Sequence, residues 1–232
     1  MRVSEIFYSL QGEGFLAGVP SIFVRLAGCP LRCRWCDTKY AWTAEAATNY
    51  SIETILRQTS RWNCSHVVVT GGEPMINPDM SARFELPDLL ERFKKLGKHV
   101  TIETSGIAYV PGLACDLMSI SPKLSNSTPQ EPELSATHEK IRLDTAVLKT
   151  LIENYNYQLK FVIDQPGDLD EVLELLHELE EVDRDRVMLM PQAGTTAELA
   201  DASGMVAQLC LRSGFAFCQR LQVLLWNGQA GM

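Results

Sequence analysis

The residues of this chain best suited to chemistry lie in one short stretch, Cys29-Pro30-Leu31-Arg32-Cys33-Arg34-Trp35-Cys36-Asp37-Thr38. Its cysteines follow a CxxxCxxC spacing with Gly28 in front and a proline turn inside, so three thiolates can converge on one inorganic centre. Structural zinc asks for four closed ligands, and no second CxxC or CxH lies nearby to supply the fourth. An iron–sulfur cluster takes one thiolate per iron, so three cysteines leave one iron of a four-iron cube without a protein ligand. An open metal position is what a reaction needs and a scaffold does not. Two other readings stay open: unrelated reduced cysteines, and a zinc site completed by distant Cys64 or Cys115.

The elements around this loop read as alternating strands and helices. Strands are expected over Val3 to Ser9, Ser21 to Ala27, His66 to Thr70, His99 to Glu103, Cys115 to Ser121, Gln158 to Asp164 and Arg186 to Met190. The stretch from Phe215 to Leu225 reads as mostly strand. Helices are expected from Ser51, a plausible N-cap, from about Leu86 to Leu96 with Gly97 as a stop, and over Lys140 to Asn154. Two more cover Asp168 to Leu179 and Thr196 to Arg212. Ile76 to Phe84 reads as irregular, and Leu124 to Ser135 as a long surface loop rich in Ser, Pro and Asn. The tail Trp226 to Met232 is glycine-rich and could close over a ligand.

Such alternation favours parallel βαβ units. About six strands are too few for a closed eight-stranded barrel, so an α/β fold with a partial, open parallel barrel is expected, as one domain over residues 1–232. The unusual residues repeatedly follow a strand's C-terminal end: the cysteine loop, Gly71-Gly72-Glu73-Pro74, Glu103-Thr104-Ser105-Gly106, Ser121-Pro122-Lys123 and Met190-Pro191-Gln192. Parallel strands gather those ends on one face, where ligands bind. Glycines at 71 and 72 let the backbone come close to a ligand, and Glu73 offers an acceptor for an ammonium group. Alone, that stretch could equally be a strand-to-helix turn.

With 46% hydrophobic and 22% charged residues in 232, the chain can bury one large core. A net charge of −8 argues against a nucleic-acid partner and for a small-molecule substrate. Among seven cysteines, Cys64, Cys115, Cys210 and Cys218 stand singly in apolar surroundings as expected core thiols, and no disulfide framework is evident. The N-terminus lacks a signal-peptide run, and no apolar stretch reaches the roughly 18 residues of a membrane span. A cytoplasmic, reduced protein with no membrane attachment is expected. His66, His99, His138 and His177 show no metal-pair spacing and are read as strand-start or surface residues.

CxxxCxxC with an aromatic residue, Trp35, before the last cysteine resembles the radical S-adenosylmethionine (SAM) superfamily, and Gly71-Gly72-Glu73-Pro74 resembles its GGEP motif. The segment Glu5-Ile6-Phe7-Tyr8-Ser9-Leu10-Gln11-Gly12-Glu13-Gly14, with Arg25, Cys36-Asp37-Thr38 and Ser121-Pro122-Lys123, is similar to the 7-carboxy-7-deazaguanine synthase family from the N-terminus to the last strand. The tail looks like a variant of that family's glycine-rich ending. This resemblance implies a [4Fe–4S] cluster on Cys29, Cys33 and Cys36, with SAM on its open iron. It implies SAM contacts from Trp35, Cys36, Asp37, Gly72, Glu73, Ser105, Ser121, Pro122 and Lys123, and less firmly from Lys160 and Gln192.

The implied reaction is ring contraction of 6-carboxy-5,6,7,8-tetrahydropterin to 7-carboxy-7-deazaguanine with loss of ammonia. Arg25 can pair with the substrate carboxylate in a fork, or sit in a surface ion pair. Leu10, Gln11, Gly12, Glu13 and Thr70 are expected at the pterin. Mg²⁺ is implied at Thr38, which could instead be a loop or capping residue. A reducing partner such as flavodoxin or ferredoxin and a homodimer are also implied. Two other readings compete: a glycyl-radical activating enzyme, and a non-catalytic iron–sulfur or zinc module with a fourth cysteine ligand.

Overall fold

The structure is a computed structural model and describes residues 1–229, so Ala230, Gly231 and Met232 of the glycine-rich tail lie outside the described residues. One nine-stranded sheet runs in the order β3-β1-β2-β4-β5-β6-β7-β8-β9. Its strands are β1 (Arg2–Leu10), β2 (Pro20–Leu26), β3 (Thr48–Asn49), β4 (His66–Gly71), β5 (His99–Thr104), β6 (Leu117–Ile120), β7 (Tyr157–Ile163), β8 (Val187–Pro191) and β9 (Ala216–Phe217). Every neighbour from β2 to β9 is parallel. The sheet does not close.

The strands expected from the sequence correspond to β1, β2 and β4 to β8, and β9 is a short part of the one expected over Phe215 to Leu225; β3 is the addition. β1 pairs antiparallel with β2, and β3 antiparallel with β1. The β1–β2 connection, residues 11–19, is shorter than the dozen or so residues a parallel crossover needs, so the chain doubles back. β7 is buried at all seven positions, as expected of a parallel strand covered on both faces.

Seven helices accompany the sheet among the described residues: α1 (Ile52–Thr59), α2 (Leu86–Lys95), α3 (Pro132–Ile141), α4 (Thr145–Asn154), α5 (Asp168–Leu179), α6 (Thr196–Ser213) and α7 (Leu221–Trp226). Ser51 caps α1 by accepting from Thr54 N–H, and Thr195 with Glu198 forms a capping box on α6. Strand residues such as Val69, Ile102, Ile120, Phe161 and Leu189 share one continuous core with helix residues Phe93, Leu148, Leu175 and Val206.

Three stretches differ from expectation. The surface loop expected over Leu124 to Ser135 holds a 3-10 turn at Ser125–Ser127 and the start of α3. The single helix expected over Lys140 to Asn154 is two, because the Asp144 carboxylate accepts from Val147 N–H and starts α4 afresh. Of the strand expected over Phe215 to Leu225, only Ala216–Phe217 pairs, and Leu221–Trp226 is helical. A hydrophobic run that short carries no decisive period. Cys64, Cys210 and Cys218 are buried while Cys115 is only partly so. Among the described residues, no helix is long and apolar enough to cross a membrane.

Candidate active site

A cavity of about 290 Å³ opens at the C-terminal ends of the parallel strands, with the three cysteines on its wall. Cys29 and Cys33 are buried, and Cys36 is partly so. Burial pushes the Cys29 thiol up to about 12 and the Cys33 thiol up to about 11; the Glu73 charge adds to the first, while Lys123 opposes the second. Burial disfavours the Cys29 and Cys33 thiolates there unaided, so the loop suits a cationic iron core. Among the described residues, no three His, Cys, Asp or Glu side chains converge tightly enough for a single ion. Cys64 and Cys115 precede β4 and β6, at the far ends of those strands from the loop, which leaves a zinc site completed by either without a basis. Cys218 lies at the near end, but its Sγ accepts from Gly14 N–H at 3.2 Å.

The residues expected at SAM divide into two groups. Trp35, Cys36, Asp37, Gly72, Ser105, Ser121, Lys123, Lys160 and Gln192 line the cavity. The Lys123 ammonium donates to Ser121 Oγ at 2.9 Å and sits 5.4 Å from the centre of the Trp35 ring. Trp35 Nε1 is buried without a protein acceptor among the described residues, a donor free for a bound group.

Glu73 and Pro122 are not on the wall. Glu73 is fully enclosed; its carboxylate accepts from Thr104 Oγ1 at 2.7 Å, Ser105 Oγ at 2.6 Å and Ser105 N–H at 2.9 Å. These bonds tie Glu73 to the loop after β5. Pro122 is buried between Ser121 and Lys123. Lys160 differs too, since its partners belong to the substrate end described below.

Gly72 explains why the motif needs glycine. A Cβ there would lie 2.7 Å from Cys29 Cβ and 2.8 Å from Ala41 O, so any side chain would push the cysteine loop outward. Gly72→Ala is expected to cost about 1–3 kcal/mol by overpacking and to lower the iron retained per chain after reconstitution. Colorimetric iron counts beside thermal melts check it, and a fully loaded variant would show that the loop tolerates the methyl.

All six residues expected at the substrate line the cavity: Leu10, Gln11, Gly12, Glu13, Arg25 and Thr70. Arg25 Nε donates to Glu5 Oε1 at 2.7 Å, and its guanidinium lies 5.8 Å from the Phe7 ring centre. That is an ion pair, but with only 15% of the Arg25 side chain exposed it is not a surface one. Gln11 Nε2 donates to Glu103 at 3.0 Å, and Gln11 Oε1 accepts from Glu13 N–H. The Glu13 carboxylate accepts from Lys160 at 2.8 Å and Gln222 Nε2 at 2.7 Å, with Arg220 Nε at 3.4 Å. Burial would raise the Glu13 carboxyl, but the Lys160 and Arg220 charges together outweigh it and hold it at about 2. Burial likewise disfavours the Lys160 charge, yet Glu13 and Glu103 raise its pKa above the ordinary lysine value. Thr38 also lines the cavity; it precedes a 3-10 turn without capping it, and its Oγ1 is 3.7 Å from Cys36 Sγ.

Reading the chain by motif missed Arg220 and Gln222. Arg220 bonds Glu13, Asp37 and the Ala193 carbonyl, so it touches the substrate loop, the cysteine loop and the turn after β8. Reading residues 215–225 as a strand hid it; a lone arginine ahead of the apolar run from Leu221 to Trp226 was the available signal. Gly228 and Gln229 of the tail also reach the wall.

The model of the Radical SAM superfamily matches residues 23–122, the span that holds the cysteine loop and the glycine motif. A 7-carboxy-7-deazaguanine synthase from Halobacterium salinarum is 41% identical, covering 98% of this chain and 91% of the relative. One from Rhodopirellula baltica is 38% identical, covering 100% and 88%. The crystal structure of QueE from Escherichia coli superposes with a TM-score of 0.69 at 28% identity, covering 94% of this chain and 92% of that one. The cysteine loop, the glycine motif and the Gln11–Glu13 loop share one cavity, and the likeness spans nearly the whole of both chains: the chain belongs to the 7-carboxy-7-deazaguanine synthase family of the radical SAM superfamily.

Proposed function

We propose that this chain contracts the ring of 6-carboxy-5,6,7,8-tetrahydropterin to 7-carboxy-7-deazaguanine with loss of ammonia. The carrying observation is that Arg25 and the Gln11–Glu13 loop share a cavity with the cysteine triad. When bound, a reduced [4Fe–4S] cluster and SAM supply the 5′-deoxyadenosyl radical that starts the reaction. The chain's own groups hold the substrate. Arg25 spends Nε on Glu5, so its remaining N–H groups are available to a carboxylate. The Glu13 carboxylate, kept ionised by Lys160 and Arg220, can accept from the donor edge of a pterin. Val162 and Met190 give the cavity an apolar wall that keeps water from a radical. Lys123 and Ser121 offer donors to the carboxylate of SAM.

The Thr38 hydroxyl on the wall fits a hard cation shared with the substrate carboxylate, which is the role proposed for Mg²⁺. A flavodoxin or ferredoxin as reductant, a homodimer, and a product passed to deazapurine nucleosides of tRNA belong to the same reading. A glycyl-radical activating enzyme would need an open groove for a protein backbone, whereas this cavity is lined with charged and amide groups suited to a small heterocycle. The test is anaerobic: iron–sulfide reconstitution, then SAM, Mg²⁺, dithionite and the carboxytetrahydropterin, with the deazapurine identified by chromatography and mass. Product that vanishes in Cys33→Ala is expected. Cleavage of SAM without any deazapurine would sink the pterin assignment and favour the activating enzyme.

A further inference from the structure

His138 is a buried titratable side chain against the cysteine loop to which the proposed reaction gives no part. Expected at the surface, it lies on α3 with 1% exposure. Its Nδ1 accepts from Arg32 N–H at 3.1 Å. That fixes the ring proton on Nε2, which lies 2.9 Å from Ser127 Oγ, and the Ser127 hydroxyl in turn donates to Leu124 O at 2.6 Å. The Ser127 carbonyl accepts from Arg34 N–H at 2.9 Å. Of the backbone amides of Arg32 and Arg34 on either side of Cys33, the first is thus taken by the His138 ring and the second by the Ser127 backbone carbonyl, and Ile141 of the same helix as His138 packs against the loop. Ser127 itself belongs to the turn that continues from Ser121 and Lys123, with Ser125 held by Glu171 and Asn126 by Asp168.

We propose that His138, acting with Ser127, is a positioning residue that fixes the direction of the Cys33 thiol toward the cluster. This rests on Cys33 being a cluster ligand. An amide without its acceptor in a buried loop costs a full desolvation penalty, so the clamp selects one path for residues 32–34. Turning those amides toward His138 and the Ser127 carbonyl also keeps them from competing for the Cys33 sulfur.

Two substitutions separate the bonds. In His138→Asn the side-chain oxygen takes the place of Nδ1, keeping the acceptor for Arg32 but losing Ser127. In His138→Gln the amide takes the place of Nε2, keeping Ser127 but orphaning Arg32 N–H. Iodoacetamide labelling of the metal-free protein, read by peptide mass spectrometry, gives the ratio of Cys33 to Cys29 reactivity. Iron release from the reconstituted protein to a chelator gives cluster retention. His138→Gln is expected to change the ratio and speed iron release, each about tenfold for one orphaned amide, while His138→Asn stays near wild type.

Equal effects of the two variants would overturn the proposal by reducing His138 to packing, as would no effect of either. If His138→Gln is insoluble, residue-resolved hydrogen exchange on the wild-type metal-free chain decides. Protected Arg32 and Arg34 amides are expected, and exchange at the rate of open loop amides would refute the clamp. Neither the labelling nor the exchange depends on substrate, so failure here is distinct from failure of the pterin assignment.

Discussion

Glu73→Gln is expected to destabilise the SAM-free protein by about 2–4 kcal/mol, because charge-assisted hydrogen bonds to a buried carboxylate are worth about 1.5–3 kcal/mol each. The carboxylate accepts three close hydrogen bonds from Thr104 and Ser105 and a longer one, 3.4 Å, from Met75 N–H. An amide keeps one acceptor and turns an NH₂ group toward donors, so at least one hydroxyl or N–H loses its partner. Denaturant unfolding of the metal-free chain measures this directly. A residue whose work was to hold the amino group of SAM would leave that stability unchanged and weaken only SAM binding. Finding that pattern would return Glu73 to the ligand and contradict the enclosed geometry. Ser105 lies on the cavity wall, so SAM affinity is expected to fall as well, as a consequence of the displaced turn.

Lys160→Met is expected to cost about 3–5 kcal/mol, the range for removing one partner of a buried ion pair. Lys160 is 3% exposed, pairs with Glu13 at 2.8 Å and stands 3.8 Å from Glu103. Without the ammonium, Glu13 keeps only Arg220 and Gln222, its carboxyl pKa rises, and the Gln11–Gly14 loop loses its anchor. Catalysis should therefore split: deazapurine formation falls with a higher KM for the pterin, while SAM is still cleaved to 5′-deoxyadenosine in the absence of substrate turnover. Equal loss of both would place Lys160 at SAM, as the sequence alone led us to expect. Glu13→Gln with Lys160→Met should recover part of the lost stability, since the double replacement also removes the Glu13 charge that Lys160 paired with.

The cofactor end of this site was legible because its chemistry is local. Three cysteines within eight positions, and two glycines before Glu73, declare themselves by spacing. The placement of each motif after a strand follows from parallel topology, so the shared rim could be foreseen as well. What escaped is what depends on distance in the chain. Glu73 looks like a ligand from its neighbours, and only the fold brings Thr104 and Ser105 against it. His138 looks like a surface residue because α3 interrupts a stretch rich in Ser and Pro, whose composition suits a loop. Arg220 was lost with its element: Phe215 to Leu225 is apolar but too short for period to separate strand from helix. The antiparallel turn of β1 needed only the length of the loop after it, a signal that was present.

The anchoring of the substrate loop also dictates an order of events during synthesis. Gly14, Glu13 and Gly12 take partners from Cys218, Arg220, Gln222 and Leu221, about two hundred residues later. The clamp on the cysteine loop needs nothing beyond His138, and its supporting turn nothing beyond Glu171. A chain leaving the ribosome can therefore set the direction of its cysteines while the first loop, held by Glu103 and Lys160, still lacks these later partners. Residues 218 to 222 complete its seating, so a chain cut short before Cys218 is expected to keep the hydrogen bonds that hold the cysteine loop and to lose those that shape the Gln11–Gly14 loop.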